Sequence, residues 1–431
     1  MDIRPQEQFG YQRIPWLLRL FLLTNASLTA VCVVAELVCR KLGFQNSYIK
    51  PWYVGIKFND FNTFYPRFQL LHHANFYTFD PQTAFAYPAP AALIYEAFYK
   101  LGGPLFDLRV FLVVSLGIIL LAGVLYSRSL QRQGLAPSPA NRFTAGALLL
   151  AFPFLFCFQR ANIEIIVWLF LALGIWAFVS GREYSAAGCI GLAASIKFVP
   201  IIYLALFVSR RRYKPVFFGV LVAVAVMLLS LSFLGPTISG AWQGINLGLN
   251  AFQEDFVKNF AVDHVGFDHT VVGVYRRIFD PTPAFPTLLH DYTLGTALLG
   301  AALWLFRIRK LPFLNQVFCL VIAGIWLVPV SYEYTLMHLY VPLACLSTIA
   351  FGRDRMKDSQ AAPFFVLGGM LTAPLTEFMW HGGTYGGQLQ SGLLLVLFVL
   401  SLARPLRSQY DAWQTGSERI GDVPAEVVSS A

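Results

Sequence analysis

YSAAGCIGLAASIKFVPIIYLALFV, residues 184–208, is the stretch on which the fold of this chain turns. By length it crosses a bilayer once, since about 20 apolar residues span the hydrocarbon core. A single crossing would put Arg182 and the Arg210, Arg211, Arg212 and Lys214 cluster on opposite faces, against the tendency of basic residues to gather on the cytoplasmic side. Lys197 and Pro200 stand mid-segment, where a charge in lipid is costly and a proline interrupts the helix. The segment therefore reads as two half-helices that enter from the cytoplasm, turn near Lys197 to Pro200 and return. Irregular backbone at that depth is tolerated where it lines a cavity.

The rest of the chain agrees with a membrane setting. Of its 431 residues, 57% are hydrophobic and 13% charged, where a soluble domain carries roughly 25% charged residues. That balance excludes a soluble enzyme. Ten apolar runs lie near residues 16–38, 109–126, 143–158, 163–179, 215–234, 287–306, 313–330, 334–350, 362–377 and 388–403. Basic clusters occupy every second connection, and 20 of the 32 Lys and Arg residues fall on one side once the hairpin is allowed for. Both termini are then cytoplasmic. The run starting at Trp16 is too long for a signal sequence and lacks a small-residue cleavage site, so it reads as a retained first span. The net charge of +9 follows from this cytoplasmic bias and implies no nucleic-acid partner. The six cysteines lie in apolar stretches without metal-ligand spacing.

The fold class expected is an all-α polytopic membrane protein with about ten full spans plus the half-helix hairpin. Two long extracytoplasmic loops, 39–108 and 235–286, carry most of the polar chemistry. The tail, 408–431, reads as polar and cytoplasmic.

Within the first loop, Asp60 stands alone among aromatics in Lys57-Phe58-Asn59-Asp60-Phe61-Asn62-Thr63-Phe64-Tyr65. Such surroundings exclude water and suit a general base acting on a hydroxyl; the same residue also suits the cap of a following interface helix. Asp80 precedes Pro81 and reads as a turn residue. Gln159-Arg160-Ala161-Asn162-Ile163-Glu164 interrupts two apolar runs. Arg160 and Glu164 are spaced to share a helix face and to pair, or Arg160 and Asn162 contact phosphate or sugar. Ionisable residues at membrane depth favour the functional reading. Lys197 at the hairpin turn can present its ammonium to an anionic lipid head group.

The second loop holds Glu254, Asp255, Lys258, Asp263, His264, Asp268, His269, Arg276 and Arg277. Two Asp-His pairs five residues apart suggest a metal site, but without a strong zinc spacing they read as solvated polar surface. His338 lies one turn past Tyr334 on an apolar stretch. It is either a satisfied core histidine or a contact to phosphate or acceptor.

Asp60-Phe61 with Phe64-Tyr65, the Tyr87-Pro88 loop, Arg160 to Glu164 and the Ala193 to Pro200 turn together resemble the bacterial glycosyltransferase family 87. This family of the GT-C superfamily includes polyprenyl-phosphate-mannose-dependent mannosyltransferases. Arg160 to Glu164, Ile196 to Pro200 and the Arg210 cluster also look like the pattern of eukaryotic GPI-anchor mannosyltransferases. The resemblance covers most of residues 15–350. It implies an outward active site, a lipid-linked sugar donor, inversion at the anomeric carbon, and no nucleotide or obligatory metal, with the first-loop aspartate, here Asp60, as base. Asn59-Asp60 replaces the Asp-x-Asp of some relatives, which argues against a metal-bridged donor phosphate.

On this reading, residues 1–350 form a GT-C-like catalytic module, 351–407 are C-terminal spans and no cofactor is needed. The protein transfers a hexose from a polyprenyl-phosphate sugar donor to a glycolipid or glycan acceptor among membrane lipids of the inner (plasma) membrane. Asp60 is the catalytic residue. Arg160, Asn162, Glu164, Lys197, Lys258, Arg276, Arg277 and His338 are the candidates for donor phosphate or sugar. The alternative is a transporter or flippase of lipid-linked saccharides.

Overall fold

The computed structural model describes residues 16–42, 58–70, 85, 87–235, 237–252, 265–279, 285–350, 358–375, 379–380 and 383–406. The polar tail and Asp80 lie outside them. Helices α1 (Trp16–Lys41), α2 (Asn59–Phe64), α3 (Ala89–Tyr99), α4 (Pro104–Arg132), α5 (Pro137–Leu149), α6 (Phe152–Arg160), α7 (Glu164–Val179) and α8 (Glu183–Ile196) build the first half. Then follow α9 (Ala205–Ser209), α10 (Tyr213–Leu234), α11 (Ile238–Ala251), α12 (Val271–Phe279), α13 (Phe285–Phe306), α14 (Phe313–Trp326), α15 (Tyr340–Ala350), α16 (Asp358–Leu371) and α17 (Gly386–Ala403). The one ladder among the described residues is a two-residue antiparallel pairing, Met379 with Thr384 and Trp380 with Gly383.

Helix occupies each of the ten apolar runs. Four helices, α1, α4, α10 and α17, are long and apolar enough to cross a membrane, and the bent pair α5 and α6 makes a fifth. Their outward side chains stay uncovered: Val113 is 69% exposed and Phe217 72%. In water such surfaces would aggregate; in a bilayer they meet lipid tails. Other helices are shorter than a full crossing, with 16 residues in α7 and 14 in α14. The run 143–158 is two helices that meet at a bend of 52°, not one straight helix. Pro153, in the first turn of α6, lacks an N–H and starts a new helix instead of continuing α5.

Residues 184–208 turn back. After α8, Lys197 is extended (φ −140°, ψ 135°), and the return limb is a 3₁₀ segment, Val199–Leu204, followed by α9. The return is therefore mostly 3₁₀, a correction to the expected second half-helix; Pro200 sits in its first turn. Glu183 Oε1 and Arg212 Nε lie 3.5 Å apart, so the segment ends beside where it began. Close helix contact holds the hairpin. A Cβ at Gly219 of α10 would stand 2.9 Å from the Ala187 carbonyl of α8, an approach that small residues permit.

Arg210, Arg307 and Arg404 share one end of the bundle. The Arg210 guanidinium lies 4.2 Å over the Phe178 ring and 5.6 Å from that of Phe313, and Arg307 Nη2 donates to Leu402 O at 2.6 Å. Asn315 Nδ2 caps the end of α17 through Ser401 O and Arg404 O at 2.7 and 2.9 Å. The start of α7 and the turn at Lys197 lie at the opposite ends of their helices, and most of the buried ionic chemistry collects there.

Candidate active site

Two corners build this end. At the first, α6 stops because Ala161 adopts left-handed backbone, φ 51°, a conformation glycine usually supplies. Asn162 Oδ1 then accepts the Glu164 N–H at 2.8 Å and opens α7. The Phe58 N–H donates to the Gln159 carbonyl at 2.7 Å, pinning the segment that leads into α2 against this corner. Phe58 is also left-handed, φ 60°. Two such residues beside one contact mark a place where the fold holds unfavourable backbone.

Asp60 enters from the first turn of α2. Its Oδ2 accepts from Asn162 Nδ2 at 2.7 Å, and its Oδ1 pairs with Arg160 Nη2. It makes no cap for α2, which settles the second reading of this residue: its side chain faces another segment. An aromatic cluster fixes the helix in place. Phe61 packs edge-on against Tyr99 at 4.5 Å, and the Tyr99 hydroxyl donates to Phe61 O at 2.7 Å.

Glu164 is the second corner. Its carboxylate is ion-paired with Lys197 and accepts from His338 Nε2 at 2.6 Å. Arg160 and Glu164 thus do not pair with each other. The spacing that suggested it assumes one helix, and the left-handed turn at Ala161 separates them. The Lys197 ammonium lies 5.5 Å from the Tyr87 ring and 5.3 Å from that of Tyr334, a cation between two aromatic faces. The Tyr87 hydroxyl is 3.4 Å from Asn162 Nδ2. Burial holds the Tyr87 phenol above its ordinary range, with Lys197 pulling the other way, so the phenol stays protonated.

The two ion pairs are arranged with one sense. The Asp60 and Glu164 side chains are 11% and 3% exposed, whereas Arg160 and Lys197 are 36% and 22% exposed. The carboxylates form the floor and the cations the accessible layer. An anion approaching from outside meets cations first, and each carboxylate still has unused lone pairs, since an ionised carboxylate offers about four acceptor sites.

The residues of the loop 235–286 divide. Lys258 lies outside the described residues, as do Glu254, Asp255, Asp263 and His264. Asp268 and His269 are fully inside the protein, which corrects the reading of them as solvated surface: they are 3% and 0% exposed. Asp268 Oδ1 accepts from the N–H groups of Thr270 and Ser331 at 3.0 and 3.2 Å, and His269 Nε2 meets Ser331 Oγ at 2.9 Å. Burial lifts the Asp268 carboxyl to about 6 against those hydrogen bonds and nearby Arg276, and drops the His269 imidazole to about 3. Arg276 is buried on α12, within electrostatic reach of Asp268. Arg277 is exposed, its guanidinium 4.3 Å over the Tyr385 ring. No group of three or more His, Cys, Asp or Glu side chains among the described residues is placed to hold a metal.

Sequence reading missed how Tyr87 and Tyr334 flank Lys197, and the buried hydrogen bonds of Asp268 and His269 to Ser331. The Thr270-x-x-Gly273 cap, with Gly273 N donating to Thr270 Oγ1 at 3.0 Å, was the available sign of local order there.

Comparison with known proteins adds one match. The model of glycosyltransferase family 87 matches residues 85–331, more than half of the chain. The match includes Arg160, Asn162, Glu164, Lys197 and the Asp268 segment; Asp60 and His338 lie outside it and join the site through the contacts above. No curated protein matches the chain.

Proposed function

The chain belongs to glycosyltransferase family 87, and from this premise we propose that it moves a hexose, most simply mannose, from a polyprenyl-phosphate donor to a hydroxyl of a lipid-linked or envelope glycan, with Asp60 as general base. Family membership and the membrane-crossing helices make it a membrane glycosyltransferase; donor, sugar and base are the proposal. The flippase alternative gives no account of that membership. We further read the chain as ten full crossings plus the hairpin in the plasma membrane. The basic end and both termini are cytoplasmic, and the site opens outward.

One observation carries the reading: the cationic layer of Arg160 and Lys197 over the Asp60 and Glu164 floor. Glycosyl transfer needs such a pair of functions. The acceptor oxygen attacks C1 of the sugar from the face opposite the phosphate, and its proton passes to an Asp60 oxygen. The C1–O bond to phosphate breaks, and its electron pair leaves with the phosphate, where positive groups stabilise the growing charge. Arg160 and Lys197 suit that task, and His338, held by Glu164, stands beside them for phosphate or acceptor. Asn162 orients the Asp60 carboxylate. Arg276, buried near Asp268, and Arg277, stacked on Tyr385, are supports of the outer segment on this reading.

The test is direct transfer. Purified protein in lipid nanodiscs, given radiolabelled polyprenyl-phosphate mannose or glucose and extracted envelope glycolipids, is expected to form a new glycosidic bond from the mannosyl donor. Recovery of all label as unreacted donor, with no new glycosidic bond from either sugar, would overturn the reading.

A further inference from the structure

Two groups that flank the Glu164 and Lys197 pair depend on a segment that is not rigid by itself. Tyr334 and His338 both lie on Glu333–Leu339, a seven-residue 3₁₀ helix. Such helices have poor hydrogen-bond geometry and seldom run beyond three or four residues, so this one needs outside support. On one side it has Glu164 through His338, and Phe156 stacked on Tyr334 at 6.3 Å. On the other, the support comes from the second outer loop.

There the contacts converge on one short stretch. Asp268 accepts from Ser331 N–H, His269 N–H donates to Ser331 O at 3.3 Å, and His269 Nε2 reaches Ser331 Oγ and Thr335 Oγ1 at 2.9 and 3.3 Å. Ser331 Oγ and Thr335 Oγ1 are themselves 2.6 Å apart. Behind this stretch are two glycines. A Cβ at Gly273 of α12 would stand 2.7 Å from the Asp268 carboxyl carbon, and one at Gly387 of α17 would stand 2.7 Å from the Asp268 carbonyl. Asp268 and His269 are thus wedged between α12 and α17 behind and the Ser331 to Thr335 turn in front.

We propose that Asp268 and His269 are positioning residues that fix the Glu333–Leu339 segment, and with it the Tyr334 ring and the His338 imidazole, in register with Lys197 and Glu164. This rests on the reading of that site as the place of sugar transfer. The pair touches no substrate; it acts through the turn. Misplacing reacting groups by about 1 Å can cost on the order of a hundredfold in rate.

The experiment is a set of variants assayed at pH 7.5 in nanodiscs with polyprenyl-phosphate mannose. Asp268→Ala leaves two buried N–H groups without their acceptor and is expected to lower kcat at least tenfold, with the same division between kcat and donor KM as His338→Ala. Asp268→Asn keeps the accepting oxygen and is expected within threefold of wild type. In the His338→Ala background, Asp268→Ala is expected to cost less than threefold, because part of what it places is gone. Full additivity of the two losses, wild-type kinetics for Asp268→Ala, or an Asp268→Asn as poor as the alanine variant overturns the proposal. If Asp268→Ala does not fold, Ser331→Ala takes its place: at least a threefold loss of kcat supports positioning, and unchanged kinetics refute it. If the wild-type protein transfers no sugar, the functional reading falls and amide exchange decides the positioning claim. Exchange across 333–339 must quicken at least tenfold in Asp268→Ala and not in Asp268→Asn.

Discussion

His338 Nε2 lies 2.6 Å from Glu164 Oε1, joining residues 174 positions apart and locking the 3₁₀ segment after α14 to the first turn of α7. The other Glu164 oxygen holds Lys197. One buried carboxylate therefore organises three segments, and its loss should be felt differently in stability and in catalysis.

Lys197→Met leaves Glu164 buried with only His338. Breaking a buried pair by removing one partner costs roughly 3–5 kcal/mol, so thermal stability should fall. Lys197→Met/Glu164→Gln removes both charges and should recover much of it. Transfer should not recover: both variants should lose on the order of a hundredfold or more, as when a charge-stabilising donor is deleted. Recovery of transfer with stability would show that Lys197 only balances Glu164. Thermal melts and initial rates on the same preparations decide it.

The cationic candidates separate by position. Arg277 stacks on Tyr385 at the surface, whereas Arg160 pairs with Asp60. Arg277→Ala should stay within threefold of wild type and Arg160→Ala should lose at least fiftyfold in kcat/KM, a gap of roughly 2 kcal/mol. Comparable losses would return Arg277 to the site. Steady-state kinetics with varied donor read the difference.

The hairpin places Tyr184 and Tyr213 on one side, as the Glu183 to Arg212 contact requires. Tyr184→Cys and Tyr213→Cys, in a background lacking reactive native cysteines, should both react with a membrane-impermeant thiol reagent applied from the same face of sealed vesicles. Labelling from opposite faces would make residues 184–208 a full crossing.

The Asp268 and His269 pair carries two titrations of opposite sign. Asp268, raised to about 6, holds a proton when docked that it lacks when free, so its contribution to docking falls as pH rises from about 4 to about 6. His269, lowered to about 3, stays neutral when docked; its contribution is complete above about 6.5 and is lost as pH falls toward 3. In wild type the two nearly cancel between about pH 4 and 6. Asp268→Asn should expose the histidine alone, so amide protection across 265–279, taken relative to the unstructured exchange rate at each pH, should fall as pH falls below about 6.5. In His269→Gln that protection should fall as pH rises from about 4 to about 6. Parallel profiles in the two variants would refute the assignment.

What the sequence disclosed follows the range of the interaction. The ten apolar runs show their helices because hydrophobicity is local, and the hairpin shows because Lys197 and Pro200 interrupt one span's length of sequence that Arg182 and the Arg210 to Lys214 cluster flank. The break before Pro153 was hidden in an unbroken apolar run. Asp60 stood out as an isolated carboxylate, but its partners are about a hundred residues away, and no local pattern reports them. Arg160 and Glu164 were read as a pair because helical spacing was extended through Ala161, where the backbone turns left-handed. Asp268 and His269 read as solvated because Ser331 and Thr335 lie more than 60 residues downstream.

The central claim is that Asp60 takes the acceptor proton. Asp60→Asn keeps the shape and the hydrogen bond from Asn162 while removing the basic oxygen pair. The measurement is single-turnover transfer from polyprenyl-phosphate mannose by purified wild type and Asp60→Asn in nanodiscs, with donor binding measured alongside. A fall of about a hundredfold or more in rate with donor affinity kept within tenfold is the predicted result; transfer by Asp60→Asn at the wild-type rate contradicts it.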